Sequence, residues 1–138
     1  MLELKNISFQ VADENAKQKE IIKDISLKLD DHTFTAITGP NGGGKYTLAK
    51  LIMGIEQPTS GSILFNGTDI TYMSITERAK LGISFAFQQP VRFKGIKVKD
   101  LITLAAGDKI KLPNACDYLS KVGLCARDYI NRDIDGSL

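Results

Sequence analysis

The sequence predicts an α/β fold organised around a glycine-rich loop and ending in helices. Three observations predict it. Strand-like apolar stretches occur before and after residue 40, with period-two alternation in 2–11 and 21–29. The run "GPNGGGKYT" at 39–47 lies between a β-branched apolar stretch and an amphipathic one. Beyond residue 95 only helical periodicity remains. A soft boundary there divides the chain into 1–95, an α/β core, and 96–138, a helical appendage.

The elements follow in order. "LELKNISFQV" (2–11) alternates through Leu2 and Leu4, then through Ile7, Phe9 and Val11. The change of register near Asn6 predicts a strand with a bulge. "ADENAKQKE" (12–20) reads as a polar loop, and "IIKDISLKL" (21–29) as a second strand through Ile25, Leu27 and Leu29. Asp30 and Asp31 mark a turn, and "TFTAIT" (33–38) reads as a buried strand. After the glycine loop, Leu48, Leu51, Ile52 and Ile55 form one helical stripe, which Gly54 terminates. "ILF" (63–65) followed by "NG" (66–67) predicts a strand and a tight turn. Ser74 and Glu77 have the spacing of a capping box for a short helix that stops at Gly82. "ISFAF" (83–87) reads as another strand. Val98, Leu101, Ile102, Ala105 and Ala106 predict one amphipathic helix. Ala115, Tyr118, Leu119 and Val122 predict a second, capped by Asn114 after Pro113 and closed at Gly123.

Composition bounds the function. The 138 residues are 43% hydrophobic and 25% charged, as expected for a soluble globular chain with a real core. The net charge of +2 is too small to imply nucleic acid or an anionic membrane as partner. Lys17, Lys19 and Lys23 are interrupted by Glu20 and Asp24, the pattern of a solvated face. Cys116 and Cys125 fit no zinc or redox spacing and read as reduced thiols of a cytoplasmic protein. No stretch approaches the ~20 apolar residues of a membrane span.

Gly39, Gly44 and Lys45 match the first seven positions of the phosphate-loop pattern G-x-x-x-x-G-K-[ST]. The chemistry explains the pattern. Glycines let successive backbone N–H groups turn inward on an anion. The following helix presents its positive end to the same anion. Lys45 adds a mobile cation for the β- and γ-phosphates. The bland alternative is a glycine-rich turn, but the strand, loop, lysine and helix all fall in the required order. The candidate binding set is therefore Gly39, Pro40, Asn41, Gly42, Gly43, Gly44, Lys45, Tyr46 and Thr47. The eighth position departs from the pattern. A small hydroxyl there coordinates Mg²⁺, and the phenolic oxygen of Tyr46 lies several bonds too far from the backbone. Thr47 is rotated about 100° around the helix and is no substitute as a metal ligand.

"GPNGGGK" together with "AFQQP" resembles the ATP-binding cassette (ABC) ATPase family over most of residues 1–105. The resemblance implies a P-loop NTPase fold of ABC type with ATP and Mg²⁺ as ligands. It identifies Gln88 as the Q-loop residue that touches the metal and senses the attacking water, and Lys45 and Gln88 as the catalytic contributions of this stretch. "FAFQQPVRFKGIKV" (85–98) is similar to the ATPase subunit of the SUF iron–sulfur assembly machinery. Either a membrane permease or a soluble assembly scaffold is then the implied partner, with homodimerisation expected only of a full-length form.

The chain also departs from the family. Val11 stands where many members carry an adenine-stacking aromatic, and Phe9 nearby reads as core. His32 stands where the family often has glycine. "DIDGSL" ends about where the family's signature would start, with Leu138 as its first residue, and no Walker B run follows. These departures lead to the expectation of a truncated, incomplete core sheet that leaves "TFTAIT" exposed. They also lead to the expectation of an ATP-binding chain deficient in hydrolysis. The alternative is a non-catalytic regulatory module.

Overall fold

The computed structural model describes residues 1–12, 18–89, 91–106 and 112–134. They form two compact units, 1–86 and 87–138, each treated by itself.

In the first unit, β1 (Leu2–Ala12), β2 (Gln18–Leu29), β3 (Ser60–Phe65) and β4 (Thr68–Asp69) form an antiparallel sheet in the order β2-β1-β3-β4. The register change expected near Asn6 is present. Asn6 adopts φ 50°, and the β1–β2 pairing shifts between Leu4 and Ile7. The extra residue keeps Leu4, Ile7 and Phe9 on one buried face, where strict alternation would have put Leu4 and Ile7 on opposite faces. The partner strand bends with it. Asp24 of β2 has φ 46°, and its carboxylate accepts from Asn6 Nδ2 at 2.8 Å. Ser26 Oγ accepts from the Asn6 N–H and Ser8 Oγ from the Asp24 N–H, both at 3.0 Å. On the other side, β3 passes the bulge at Gly61, φ +92°, where a Cβ would collide with the Lys5 and Asn6 carbonyls.

The helix α1 (Lys45–Met53) lies on this sheet. Its Leu48 and Leu51 join Leu4, Ile7, Phe9, Ile22, Ile63 and Ile70 in one core cluster. Gly54 closes α1 in the left-handed conformation, as its position predicts, so Ile55 falls beyond the helix. Asn66 and Gly67, with φ 50° and 79°, make the tight β3–β4 turn, the sign pair that a type I′ hairpin requires. In α2 (Ile75–Lys80) the expected capping box is complete. Ser74 Oγ accepts from the Glu77 N–H at 3.3 Å, and the Glu77 carboxylate accepts from the Ser74 N–H at 2.9 Å.

The sequence did not mark the most buried polar group. Arg78 on α2 is fully buried. Its guanidinium donates to the carbonyls of Leu51 (2.7 Å), Ile52 (2.8 Å), Thr71 (2.8 Å) and Met73 (3.1 Å). Two of those carbonyls belong to the last turn of α1, where acceptors lack intrahelical partners and the dipole is negative. A Cβ at Gly54 would stand 2.8 Å from Arg78 Nε, so glycine both ends the helix and admits the cation. Burial pushes the guanidinium below its ordinary pKa, yet it remains charged at any ordinary pH.

Two expected strands are absent. "TFTAIT" at 33–38 is an unpaired exposed segment, with Phe34 97% and Ile37 45% accessible. Its composition suits a strand, but no described strand pairs with it, and composition alone cannot bury a segment. This is the exposure expected of an incomplete sheet. "ISFAF" at 83–87 is likewise not a strand. The loop expected over 12–20 is shorter in the structure. Ala12 and residues 18–20 extend the hairpin strands, and 13–17 lie outside the described residues.

In the second unit, α3 (Val98–Ala106), α4 (Leu112–Lys121) and a helix not foreseen, α5 (Ala126–Tyr129), surround Val98, Ala115, Leu119 and Ile130. Ala105, Tyr118 and Val122, expected on packed faces, are exposed. The helix α4 starts at Leu112, so Pro113 and Asn114 occupy its first turn and Asn114 is not its cap. Gly123 closes it as expected, with φ 78°. Leu138 lies outside the described residues.

Arg78→Met should lower stability by about 3 kcal/mol, because buried carbonyls lose their donors. Urea denaturation measures this, and Arg78→Lys should recover only part, since an ammonium cannot span the same acceptors. Acid should also weaken the fold. Hydrogen bonds from the Thr71 hydroxyl and N–H hold Asp69 below its usual range, and those from Ser74 do the same for Glu77. A depressed carboxylate contributes stability above its unfolded value and loses it as pH falls through the folded one. The urea midpoint should therefore drop below about pH 4, and Glu77→Gln should remove part of that slope.

Candidate functional site

The site is the turn from the exposed 33–38 segment into α1. Its geometry comes from glycines at three strained positions. Gly39, Gly42 and Gly44 have φ 149°, 78° and 80°, values that favour glycine strongly. Gly43 is glycine for space, since a Cβ there would approach the Pro40 carbonyl to 3.0 Å. Space also matters at Gly44, where a Cβ would stand 3.0 Å from the Ile21 carbonyl and 3.3 Å from Ile22 Cγ1. The loop therefore rests directly on β2, and the hairpin sets its height.

The Gly43 N–H donates to Pro40 C=O at 3.2 Å and tightens the turn. Gly44 is the N-cap of α1, with no side chain to cap it. The first intrahelical bond is from the Leu48 N–H to Gly44 C=O at 2.8 Å. The N–H groups of Lys45, Tyr46 and Thr47 thus emerge at the positive end of the helix. Lys45 bends back over the same loop, and its ammonium donates to Gly39 C=O (2.7 Å) and Pro40 C=O (2.6 Å). A primary ammonium has three protons, so it can hold the loop and still reach an anion. Pro40, Asn41 and Gly42 form the exposed outer rim. The arrangement can bind a phosphate group through backbone donors, a helix end and one cation.

Tyr46 takes no part in that cradle through its ring. The ring lies 5.9 Å from that of Phe85, tilted by 46°, and the Lys50 ammonium stands 5.2 Å from its centroid. Both contacts draw it along the flank of α1. The short hydroxyl that would hold Mg²⁺ at this position is missing, so the donor set fits a phosphate and does not fit the metal. Thr47 is half-buried in the first turn.

Gln88 is exposed and falls in the second unit. Val11 is exposed near the end of β1, and Phe9 belongs to the core, as its alternation indicated. His32 is exposed with φ 58°, which gives a physical reason for a glycine preference at that turn. A cleft of about 320 Å³ lined by Leu29, Asp30, Asp31, His32 and Phe65 contains no loop residue. Sequence reasoning missed Phe85 as the partner of Tyr46 and Ile21 as the floor under Gly44. Neither leaves a signal in spacing, because both contacts join segments distant in sequence.

Comparison with known proteins gives consistent results. The family described as ABC transporter matches residues 22–134. An uncharacterized ABC transporter ATP-binding protein of Methanocaldococcus jannaschii is 41% identical over 128 residues, covering 87% of this chain and 51% of that protein. A sulfate/thiosulfate import ATP-binding protein of Synechocystis sp. is 37% identical over 99 residues, covering 72% of this chain and 26% of that protein. The chain therefore spans about half of the first relative and about a quarter of the second. A solved dimeric ATP-binding cassette in a post-hydrolysis state, bound to ADP and Pi, superposes with a TM-score of 0.82 at 22% identity. It covers 96% of this chain and 61% of that one, and shows the fold to be that of a P-loop cassette with an incomplete sheet.

Gly44→Ala should raise the cost of the loop by about 1–2 kcal/mol, from a left-handed non-glycine residue at the N-cap. The expected readout is a roughly five- to thirtyfold loss of nucleotide affinity by calorimetry. Gly67→Ala, at an equally positive φ but in the distant hairpin turn, should leave that affinity intact.

Proposed function

The chain belongs to the ABC transporter family, and from that premise we propose that it is the phosphate-binding part of an ATP-binding subunit. Residues 1–95 supply the nucleotide core and 96–138 begin the helical subdomain. The observation that carries this reading is the convergence of Lys45 Nζ and the free helix end on one glycine-built loop. In this reading Gly42, Gly43 and Gly44 and the amides of 45–47 hold the phosphates. Lys45 exchanges one loop contact for the terminal phosphoryl oxygens. The resemblance assigns the Q-loop role to Gln88.

ATP is the ligand that the family and the loop chemistry support. Binding by this chain is metal-independent, because Tyr46 replaces the metal-holding hydroxyl. Turnover by this chain alone is negligible, since phosphoryl transfer needs an oriented water and a metal clamp that it does not match. In this reading ATP binding is coupled to a partner. The relative named for sulfate/thiosulfate import supports a membrane permease. "FAFQQPVRFKGIKV" supports a soluble iron–sulfur assembly scaffold instead. Among the described residues no helix is long and apolar enough to cross a membrane. The second reading is a regulatory module that binds nucleotide without hydrolysis, which Tyr46 favours.

Calorimetric titration of ATP, with Mg²⁺ or with EDTA, tests the reading. The wild-type chain should bind equally well in both, and Tyr46→Ser should gain roughly tenfold with Mg²⁺, about 1.4 kcal/mol. A metal-dependent wild type would sink the account of Tyr46, and no ATP binding under either condition would sink the nucleotide reading. Co-purification from cells with a permease or with a soluble scaffold would decide the partner.

A further inference from the structure

The helix α1 is fastened to one neighbouring stretch of chain at both of its ends. At its C-terminal end, Arg78 donates to Leu51 and Ile52, while Arg78's own carbonyl accepts the Ile83 N–H at 3.1 Å. Ile83 packs against the core cluster that holds α1. Two residues on, Phe85 meets the ring of Tyr46 at the N-terminal end of the helix. Residues 78–85 thus run beside α1 from one end to the other. Lys50 reinforces the N-terminal fastening. Its ammonium lies over the Tyr46 ring and within 3.7 Å of the Glu56 carboxylate.

The two fastenings differ in kind. The Arg78 end is buried and bound by four hydrogen bonds. At the Tyr46 end the side-chain link from α1 to Phe85 is a tilted ring pair, with Tyr46 44% accessible and the Lys50 ammonium over its ring. A contact of that size is worth a factor of roughly two to ten in an equilibrium, enough to be shifted by a ligand and too little to be permanent. The backbone N–H of Tyr46 belongs to the first turn that an anion would engage. Fixing that N–H fixes the base of the side chain and hence the place of the ring.

We propose that Tyr46 is a positioning residue that clasps the N-terminal end of α1 to Phe85, so that loading the phosphate loop tightens residues 83–86. The inference rests on the nucleotide reading above and adds a role to the residue that removes the metal ligand. The departure from Ser or Thr exchanges a metal contact for a mechanical one. The hydroxyl is not needed for it, and the ring is.

Hydrogen–deuterium exchange with ATP in EDTA tests this. In the wild-type chain, ATP should slow exchange in the first turn of α1 and, by roughly two- to tenfold, in 83–86. Phe85→Ala should keep the slowing at α1 and lose it at 83–86. Phe85→Leu, which keeps apolar bulk, should show the same loss in part if the alanine variant does not fold. Tyr46→Ala should lose the slowing at 83–86, and Tyr46→Phe should restore it. Undiminished slowing at 83–86 in the Phe85 variants, or failure of Tyr46→Phe to restore it, overturns the clasp while leaving nucleotide binding standing. No slowing at α1 in the wild type overturns the nucleotide reading and the clasp with it.

Discussion

The buried guanidinium of Arg78 is the interaction on which the rest of the first unit depends. A nine-residue helix is too short to hold itself together in water. Here α1 is held by an apolar face on the sheet and by one cation at its negative end. That cation reaches the β4–α2 connection at the same time, through Thr71 and Met73. The axial position of α1 is therefore set at its C-terminus, and the phosphate loop at the other end inherits it. The fold places a fixed charge far from the site to fix a helix whose far end is the site.

The second constraint is the pair of bends in β1 and β2. The bulge at Asn6 and the matching turn of backbone at Asp24 keep Leu4, Ile7, Phe9 and Ile22 in the cluster that Leu48 and Leu51 of α1 complete. Gly61 exists to let β3 past them. The hairpin in turn supplies the carbonyl of Ile21 beneath Gly44. A register error in the first strands would thus be felt in the loop, although no loop residue lies in the sheet.

Much of this was legible in the sequence, and the reasons are local. The bulge showed as a slip in alternation at Asn6, and the capping box and the Asn66–Gly67 turn showed as residue types at fixed offsets. The loop showed as glycines in the order that backbone sterics demand. What was not legible depends on partners. Residues 33–38 and 83–87 have strand composition, but neither belongs to the described sheet, because pairing is decided by what lies alongside a segment and not by its own residues. Arg78 left no mark in the sequence because nothing in its own segment says that two helix-end carbonyls lie across from it. The metal defect at Tyr46 could be argued from one position in a pattern. Its contact with Phe85 could not, because that contact is a property of the packing.

The chain has no tryptophan and only four tyrosines, at 46, 72, 118 and 129. Its ultraviolet emission is therefore tyrosine emission, with no indole to drain it. One of the four emitters stands at the start of α1, between an ammonium and a phenyl ring. The residue that departs from the phosphate-loop pattern thus gives the molecule a native optical reporter at the mouth of its own loop, one that a serine or threonine there would not have supplied.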